Sequence, residues 1–445
     1  MTGPSMRWSL RNVTDPAAAP RPRVSTFQAA FIGVASMVGA GIFSLLGSAG
    51  EVAGSAVWLS FLLAGIIAAL QGYSFARLGA RYPSAGGLLE YLNQGYGPGH
   101  VATVTAWLTF MANILITAMV AISFGSYASS ALGAEEPAVV KAAAILLVVV
   151  MTALNVAGSQ VVARVQSVIV FVVVGILGLF AVVTIANMDP QLLAPSGYPG
   201  IREIVSSIAL TFFAFLGFGV VTFTARDLAD PARQLPRAMT IAIGLATLVY
   251  VAVALGVFGT LTVDEVIDAG PTAIAVAAEP VLGQLGFWLI TVTALFATAG
   301  ATNAGLFPAT GVTEHLSATG QFPPFMAARI GGRVNVGLLV SALAVMGLVI
   351  PFDLSSIASI GSAVALLIFS LISTGHLRIR SDTGANLGLL LAAVGSTVVV
   401  LAVFVVTTLI QEPASVVTLL AILMISVGLD AAWSRRREGP AQVGA

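Results

Sequence analysis

At 445 residues, with 58% hydrophobic and 9% charged residues, the chain lies far outside the soluble range of roughly 45–50% apolar and about 25% charged. Nineteen basic and nineteen acidic residues cancel, and the mean hydropathy is +1.00, which excludes an ordinary soluble domain and a basic nucleic-acid-binding surface. Cysteine is absent, which removes disulfides, thiolate metal sites and a cysteine nucleophile.

The composition is that of an all-α polytopic membrane protein. Residues 1–25 hold several prolines and arginines and lack a compact apolar run followed by a cleavage site, so they are expected to form a cytoplasmic tail and not a signal peptide. Crossing ~30 Å of hydrocarbon takes about 20 apolar residues. Runs of that length, bounded by charges or Pro/Gly-rich breaks, fall at 26–48, 55–78, 99–131, 138–156, 161–187 and 203–225, and then at 237–259, 284–312, 334–351, 354–374, 386–410 and 413–433. Twelve transmembrane helices are expected, with residues 434–445 as a second cytoplasmic tail.

The first span contains FIGVASMVGAGIFSLLGSAG from Phe31 to Gly50, with Gly39 and Gly41 near its centre. Glycine in a helix interior costs roughly 0.5–1 kcal/mol relative to alanine, so unwinding at Gly39-Ala40-Gly41 is inexpensive. Unwound backbone is tolerated at membrane depth only where it faces protein or a water-filled cavity. Its freed amides at a half-helix start attract a carboxylate, and its carbonyls at a half-helix end attract a cation. The competing reading is close helix packing through small residues. The sixth span, EIVSSIALTFFAFLGFGVVTFTARD, repeats the pattern five helices later, with Gly217 and Gly219 among Phe212, Phe213, Phe215 and Phe218. Five is odd, so the two five-helix halves enter from opposite sides. Interrupted segments at matching positions of two inverted halves point to a transport site at the midplane.

Basic residues set the orientation. Seventeen of the nineteen, among them Arg77, Arg81, Arg226, Arg233, Arg333 and Arg378, fall on the side of both termini, and Lys141 and Arg202 fall on the other. The positive-inside rule puts both termini in the cytoplasm of a cell (plasma) membrane protein.

Four segments carry a resemblance. GVASMVGAGIF from Gly33 to Phe43, LGARYPSAGGLLEYLNQGYG from Leu78 to Gly97, FFAFLGFG followed by DPARQLPRAM, and Asn303 followed by Gly320-Gln321-Phe322-Pro323 occur in the order and spacing of the amino acid, polyamine and organocation permeases. The chain resembles that family from about residue 26 to 435. The resemblance implies a LeuT-like fold: a first five-helix repeat (26–187), a second, inverted one (203–374), discontinuous helices 1 and 6, and two peripheral helices (386–433). It implies secondary transport of amino acids by alternating access. Substrate would be held by Ser36, Met37, Gly39, Ala40, Gly41 and Ile42 of the first break and by Phe213, Ala214, Phe215 and Gly217 of the second. Phe213 would close over it from outside. Asn113 matches a position that lines the pocket in some relatives, and an interhelical hydrogen bond is the equal alternative. No cofactor or metal is implied; the partners are a small-molecule substrate, the bilayer, and Na+ or H+ as candidate coupling ions.

Departures from the family narrow the mechanism. The lysine that proton-coupled relatives carry in the fifth span is replaced by Val173, and the one lysine, Lys141, starts the fourth span. The acid that some relatives place after the sixth-span glycine is Gly219 here. A cationic side chain would lack a counter-charge where desolvation costs several kcal/mol, so a neutral substrate is expected, lined by Met37, Ile116, Phe213 and Phe215. Sodium would need carbonyls near Ala35 and Val38 together with a hydroxyl from Thr298 or Thr302, although such hydroxyls often bond their own backbone. Exchange and uniport stay equally open. Arg77 or Arg81 could pair with Asp227 or Asp230 as an inner gate, the alternative being headgroup anchoring.

Two other functions fit a membrane chain with broken helices. A sensor would keep the fold and bind without transport, although no soluble output domain is added. A cation permease would need rings of carbonyls or acids, and no acid ladder is visible. An intramembrane enzyme is the least expected reading, since G-x-S-x-G, H-E-x-x-H and a mid-span acid pair are all missing.

Overall fold

The computed structural model describes residues 24–438 apart from residues 40, 85–86, 98, 135, 158–159, 319, 409 and 411–412. The first interrupted span becomes α1 (Thr26–Val38) and α2 (Ile42–Ala53). A single 3₁₀ turn (Gly54–Ala56) leads to α3 (Val57–Arg81), and short α4 (Leu88–Tyr96) precedes α5 (His100–Ala131), α6 (Pro137–Ala157) and α7 (Gln160–Ala186). The sixth span divides into α8 (Ile201–Phe213) and a 3₁₀ helix (Leu216–Asp227). Then come α9 (Pro231–Phe258), short α10 (Val263–Ala269), α11 (Ala273–Ala318), α12 (Val336–Val349), α13 (Leu354–Arg378), short α14 (Arg380–Thr383), α15 (Leu387–Thr407) and α16 (Pro413–Glu438).

The chain is a multi-pass membrane protein. Among the described residues, nine helices are long and apolar enough to cross a membrane, counting α2 and α3 as one stretch, and three shorter apolar helices cover 26–38, 336–349 and 415–431. Element ends follow local chemistry. Ser25 caps α1 with a capping box to Gln28. Asp230 caps α9 through the Arg233 amide, with Pro231 at the first helical position, so α9 begins six residues before the expected 237 and carries Pro236 inside. Gly283, at φ 67°, kinks α11, so its straight part begins where the eighth span was expected.

The second half of the sixth span departs most from expectation. Glycines and β-branched residues, GFGVVTFT, disfavour an α-helix. The hydroxyls of Thr222 and Thr224 donate to the carbonyls three residues back, Gly219 and Val221, at 2.6 and 2.7 Å, which suits the 3₁₀ spacing. At ~2.0 Å rise per residue the segment is about 6 Å longer than the same residues in an α-helix.

Packing places the two breaks together. α1 lies against the 3₁₀ helix and α2 against α8; α1 also packs on α9, as α8 packs on α3. α3 and α9 run alongside each other. Buried polar links fix the surrounding helices: the Gln71 amide donates to the Ala393 carbonyl at 3.0 Å and accepts from Ser373, while His376 bridges Ser74 and Thr383 at 2.8 Å each. Gln321 donates to Asn93 at 3.2 Å, and Phe322 stacks on Trp107 at 3.7 Å, joining two of the motif-bearing segments.

Candidate binding site at the two helix breaks

The first break is a kink. Gly39 and Gly41 both keep right-handed backbone angles, and the Gly41 amide still bonds to the Met37 carbonyl at 2.9 Å; Ala40 lies outside the described residues. What requires glycine is therefore closeness. A Cβ on Gly41 would sit 2.5 Å from Cβ of Ala214 and 2.7 Å from the Tyr250 hydroxyl. A Cβ on Gly217 would sit 2.5 Å from the carbonyl carbon of Ser36 and 2.6 Å from the Met37 amide nitrogen. The two breaks thus touch backbone to backbone, at two points.

Around that contact, Met37 and Ile42 are fully buried, and Phe213, Ala214 and Phe215 are at most 2% exposed. Gly41 caps α2 without a side-chain hydrogen bond, so the start of α2 presents its positive end at the break. Tyr250 of α9 donates to the Ala214 carbonyl at 3.2 Å, and its ring meets Phe215 edge-on at 5.0 Å and Phe61 at 5.3 Å. The hydroxyl of Ser44, one turn into α2, is buried without a hydrogen-bond partner among the described residues. Sequence reasoning missed both Tyr250 and Ser44. Tyr250 comes from a helix with no motif at that position, and Ser44 directly follows the matching segment.

Phe213 fills the notch left by Gly361 of α13, which has no room for a Cβ. On the other side of the break, Phe75, Phe218 and Phe369 pack with ring centroids 5.1–5.5 Å apart, joined by Phe212 on Phe369 at 5.6 Å. α3, α8, α13 and the 3₁₀ helix therefore close this region with aromatic rings.

Other expected residues lie apart from the breaks. Asn113 donates to the Gly305 carbonyl of α11 at 2.8 Å, the interhelical alternative. Thr298 and Thr302 donate to the carbonyls of Ala294 and Thr298, at 2.6 and 2.9 Å, within their own helix. Ala35 and Val38 line a cavity of about 10 Å³ together with Gly39, Val173 and Ala297, and neither threonine borders it. Val173 thus occupies the place next to the first break where a lysine was expected in relatives. Arg77 lies over the Tyr73 ring at 5.5 Å, and among the described residues no carboxylate is within 4.0 Å of it or of Arg81. The structure does not bring Arg77 to Asp227: the Asp227 carbonyl accepts from the Val24 amide at 2.9 Å, and Asp230 pairs with Arg233 at 3.7 Å. Arg77 lines the groove between α3 and α9.

Charge is scarce inside. Among the described residues Asp430 is the one buried acid, and it meets His100 at 2.5 Å, at the ends of α16 and α5. No group of three or more His, Asp or Glu suited to a metal ion occurs among them.

The family model for amino acid permeases matches residues 24–429. The chain is 31% identical to the inner membrane transport protein YbaT of Escherichia coli, over 89% of this chain and 93% of that one. It is 27% identical to the methylthioribose transporter of Bacillus subtilis (76% and 80%) and 26% identical to the mitochondrial cationic amino acid transporter 3 of Arabidopsis thaliana (78% and 61%).

Proposed function

The chain belongs to the amino acid permease family, a family of transporters and not of enzymes, and from that membership we propose that it is a secondary active transporter of neutral amino acids working by alternating access. The observation that carries the reading is the meeting of the two breaks at Gly41 and Ala214, with the start of α2 facing the end of α8. A substrate entering there places its carboxylate at the positive end of α2 and its ammonium at the Ala214 carbonyl. Its side chain lies among Met37, Ile42, Phe213 and Phe215, near the unpartnered hydroxyl of Ser44. Phe213 is the gate between the site and one side of the membrane.

Neutrality follows from charge. A cationic side chain, such as the name of the Arabidopsis relative suggests for that protein, would find no carboxylate at the breaks among the described residues, whose one buried acid, Asp430, lies in α16. Methylthioribose, named for the Bacillus relative, lacks the ammonium and carboxylate that the two half-helix ends would hold.

Twelve crossings in two inverted five-helix halves, 26–187 and 203–374, with 386–433 peripheral, are part of the same proposal. The reciprocal packing of α1 on α9 and α8 on α3 supports it, because a two-fold axis through the breaks exchanges those pairs. Lys141 donating to the Ile350 carbonyl at 2.6 Å supports placing the loops before α6 and after α12 on one side, opposite the arginine-rich loops and the two cytoplasmic termini. With Val173 in the lysine position and both threonines turned to their own backbone, exchange against a counter-substrate fits the site better than ion coupling.

Uptake into proteoliposomes tests this, using labelled neutral, acidic and basic amino acids under sodium, proton and counter-substrate gradients. Neutral amino acids are expected to exchange or accumulate. Failure of every amino acid under every gradient would sink the transporter reading, and preference for a basic one would sink neutrality alone.

A further inference from the structure

A groove of about 930 Å³ lies between α3 and α9, lined by no residue of either break and reached from outside the bundle. Its α3 wall runs from Leu62 through Ile66, Ala69 and Tyr73 to Arg77 and Arg81, a single stripe at helical spacing. Leu62 and Arg81 are nineteen residues apart, about 28 Å at the rise of ~1.5 Å per residue, more than the ~15 Å of one hydrocarbon leaflet.

The groove is apolar along its length and cationic at one end. On α9, Thr240 and Thr247 line it, but their hydroxyls donate to the Pro236 and Ile243 carbonyls at 2.9 and 2.7 Å, which satisfies them internally. The rims at Ile66 and Leu248 are 51% and 66% exposed, and in a multi-pass membrane protein that exposure faces lipid tails. Halfway along, Gly244 leaves open space, where an added Cβ would meet nothing within 4 Å. At the end, Arg77 and Arg81 stand one helical turn apart and exposed. Like charges at this spacing repel, and the nearby Asp382 carboxylate accepts from Tyr82 at 3.4 Å and reaches neither guanidinium within 4.0 Å.

We infer that the α3–α9 groove holds an acyl chain of an anionic phospholipid whose phosphate is bound by Arg77 and Arg81. The occupant has to combine a long apolar chain with a negative charge at its interfacial end, and membrane phospholipids of the anionic class have that form. The phosphate relieves the Arg77–Arg81 repulsion, and the chain covers apolar surface that neither helix covers. The site is separate from the breaks and does not depend on which substrate is carried.

Native mass spectrometry of the full-length protein tests it, by titration with phosphatidylglycerol and with phosphatidylcholine of the same acyl chains. The wild-type chain is expected to prefer phosphatidylglycerol roughly thirtyfold, the usual worth of two arginines at an anionic headgroup, and Arg77→Gln/Arg81→Gln should erase the preference. Gly244→Leu, which puts a side chain into the groove at a position where an added Cβ meets nothing within 4 Å, should weaken binding of both lipids while leaving thermal stability near the wild-type value. Equal binding of the two lipids by the wild-type chain overturns the proposal, and so does a double variant that keeps the preference. Competition by glycerol phosphate as effective as that by whole lipid also overturns it, because the chain would then contribute nothing.

Discussion

The hydroxyl of Tyr250 donates to the carbonyl of Ala214 at 3.2 Å, on the same carbonyl proposed to receive the substrate's ammonium. Here the protein satisfies with its own side chain the acceptor that the substrate would use. Binding then exchanges one hydrogen bond for another, and the tyrosine tunes affinity downward. Tyr250→Phe keeps the ring contacts to Phe215 and Phe61 and removes the competing donor. Substrate affinity is expected to rise about threefold to tenfold, in line with a net hydrogen bond of ~0.5–1.5 kcal/mol. Isothermal titration with the best substrate reads this directly, and a loss of affinity would make Tyr250 a substrate ligand instead.

How much of this was legible in the sequence depends on whether the signal is local. The glycine pairs could be read because helix cost and span length are properties of a few adjacent residues, and the structure divides both spans near them. That division differs in kind from the expectation. Gly41 is needed for the approach of Ala214 and not for an unusual backbone angle, a fact belonging to a partner 173 residues away. Tyr250, Gly361 and the 3₁₀ form of 216–227 depend on tertiary neighbours, as does whether a threonine hydroxyl serves its own helix or a ligand. Arg77 and Asp227 look like gate partners because both lie at span ends with opposite charge; that Arg77 also lines the groove between α3 and α9 is invisible to spacing alone.

The contact between the breaks makes a paired substitution informative. Gly41→Ala puts a methyl 2.5 Å from Cβ of Ala214, an overpacking expected to cost about 1–3 kcal/mol of stability and to abolish substrate-dependent thermal stabilisation. Adding Ala214→Gly removes the opposing methyl and should restore part of both. A double variant no better than the single one would show that Gly41 is constrained by something other than Ala214.

Sodium dependence offers a separate check. Thr298 and Thr302 spend their hydroxyls on their own helix, so Thr298→Val and Thr302→Val are expected to leave transport in sodium and in choline media equal to wild type, with stability changed by less than about 1 kcal/mol. Loss of a sodium-stimulated component in either variant would put a cation beside Ala35 and Val38 after all.

Phe213 separates gating from packing. Its ring occupies the Gly361 notch, so Phe213→Ala leaves a hole and is expected to cost about 3–5 kcal/mol as any buried phenylalanine would. Stability alone therefore says nothing about a gate. Phe213→Leu retains much of the volume, and should cost less than half as much, but it cannot cover the site with a flat ring. If Phe213 is the gate, Phe213→Leu lets substrate cross when the opposite side holds none, so the ratio of unidirectional efflux to exchange rises several-fold while the melting temperature stays near wild type. If Phe213 only packs, that ratio is unchanged in Phe213→Leu, and transport in both variants falls in proportion to folded protein. Efflux and exchange measured on the same proteoliposomes, normalised to folded protein, distinguish the two.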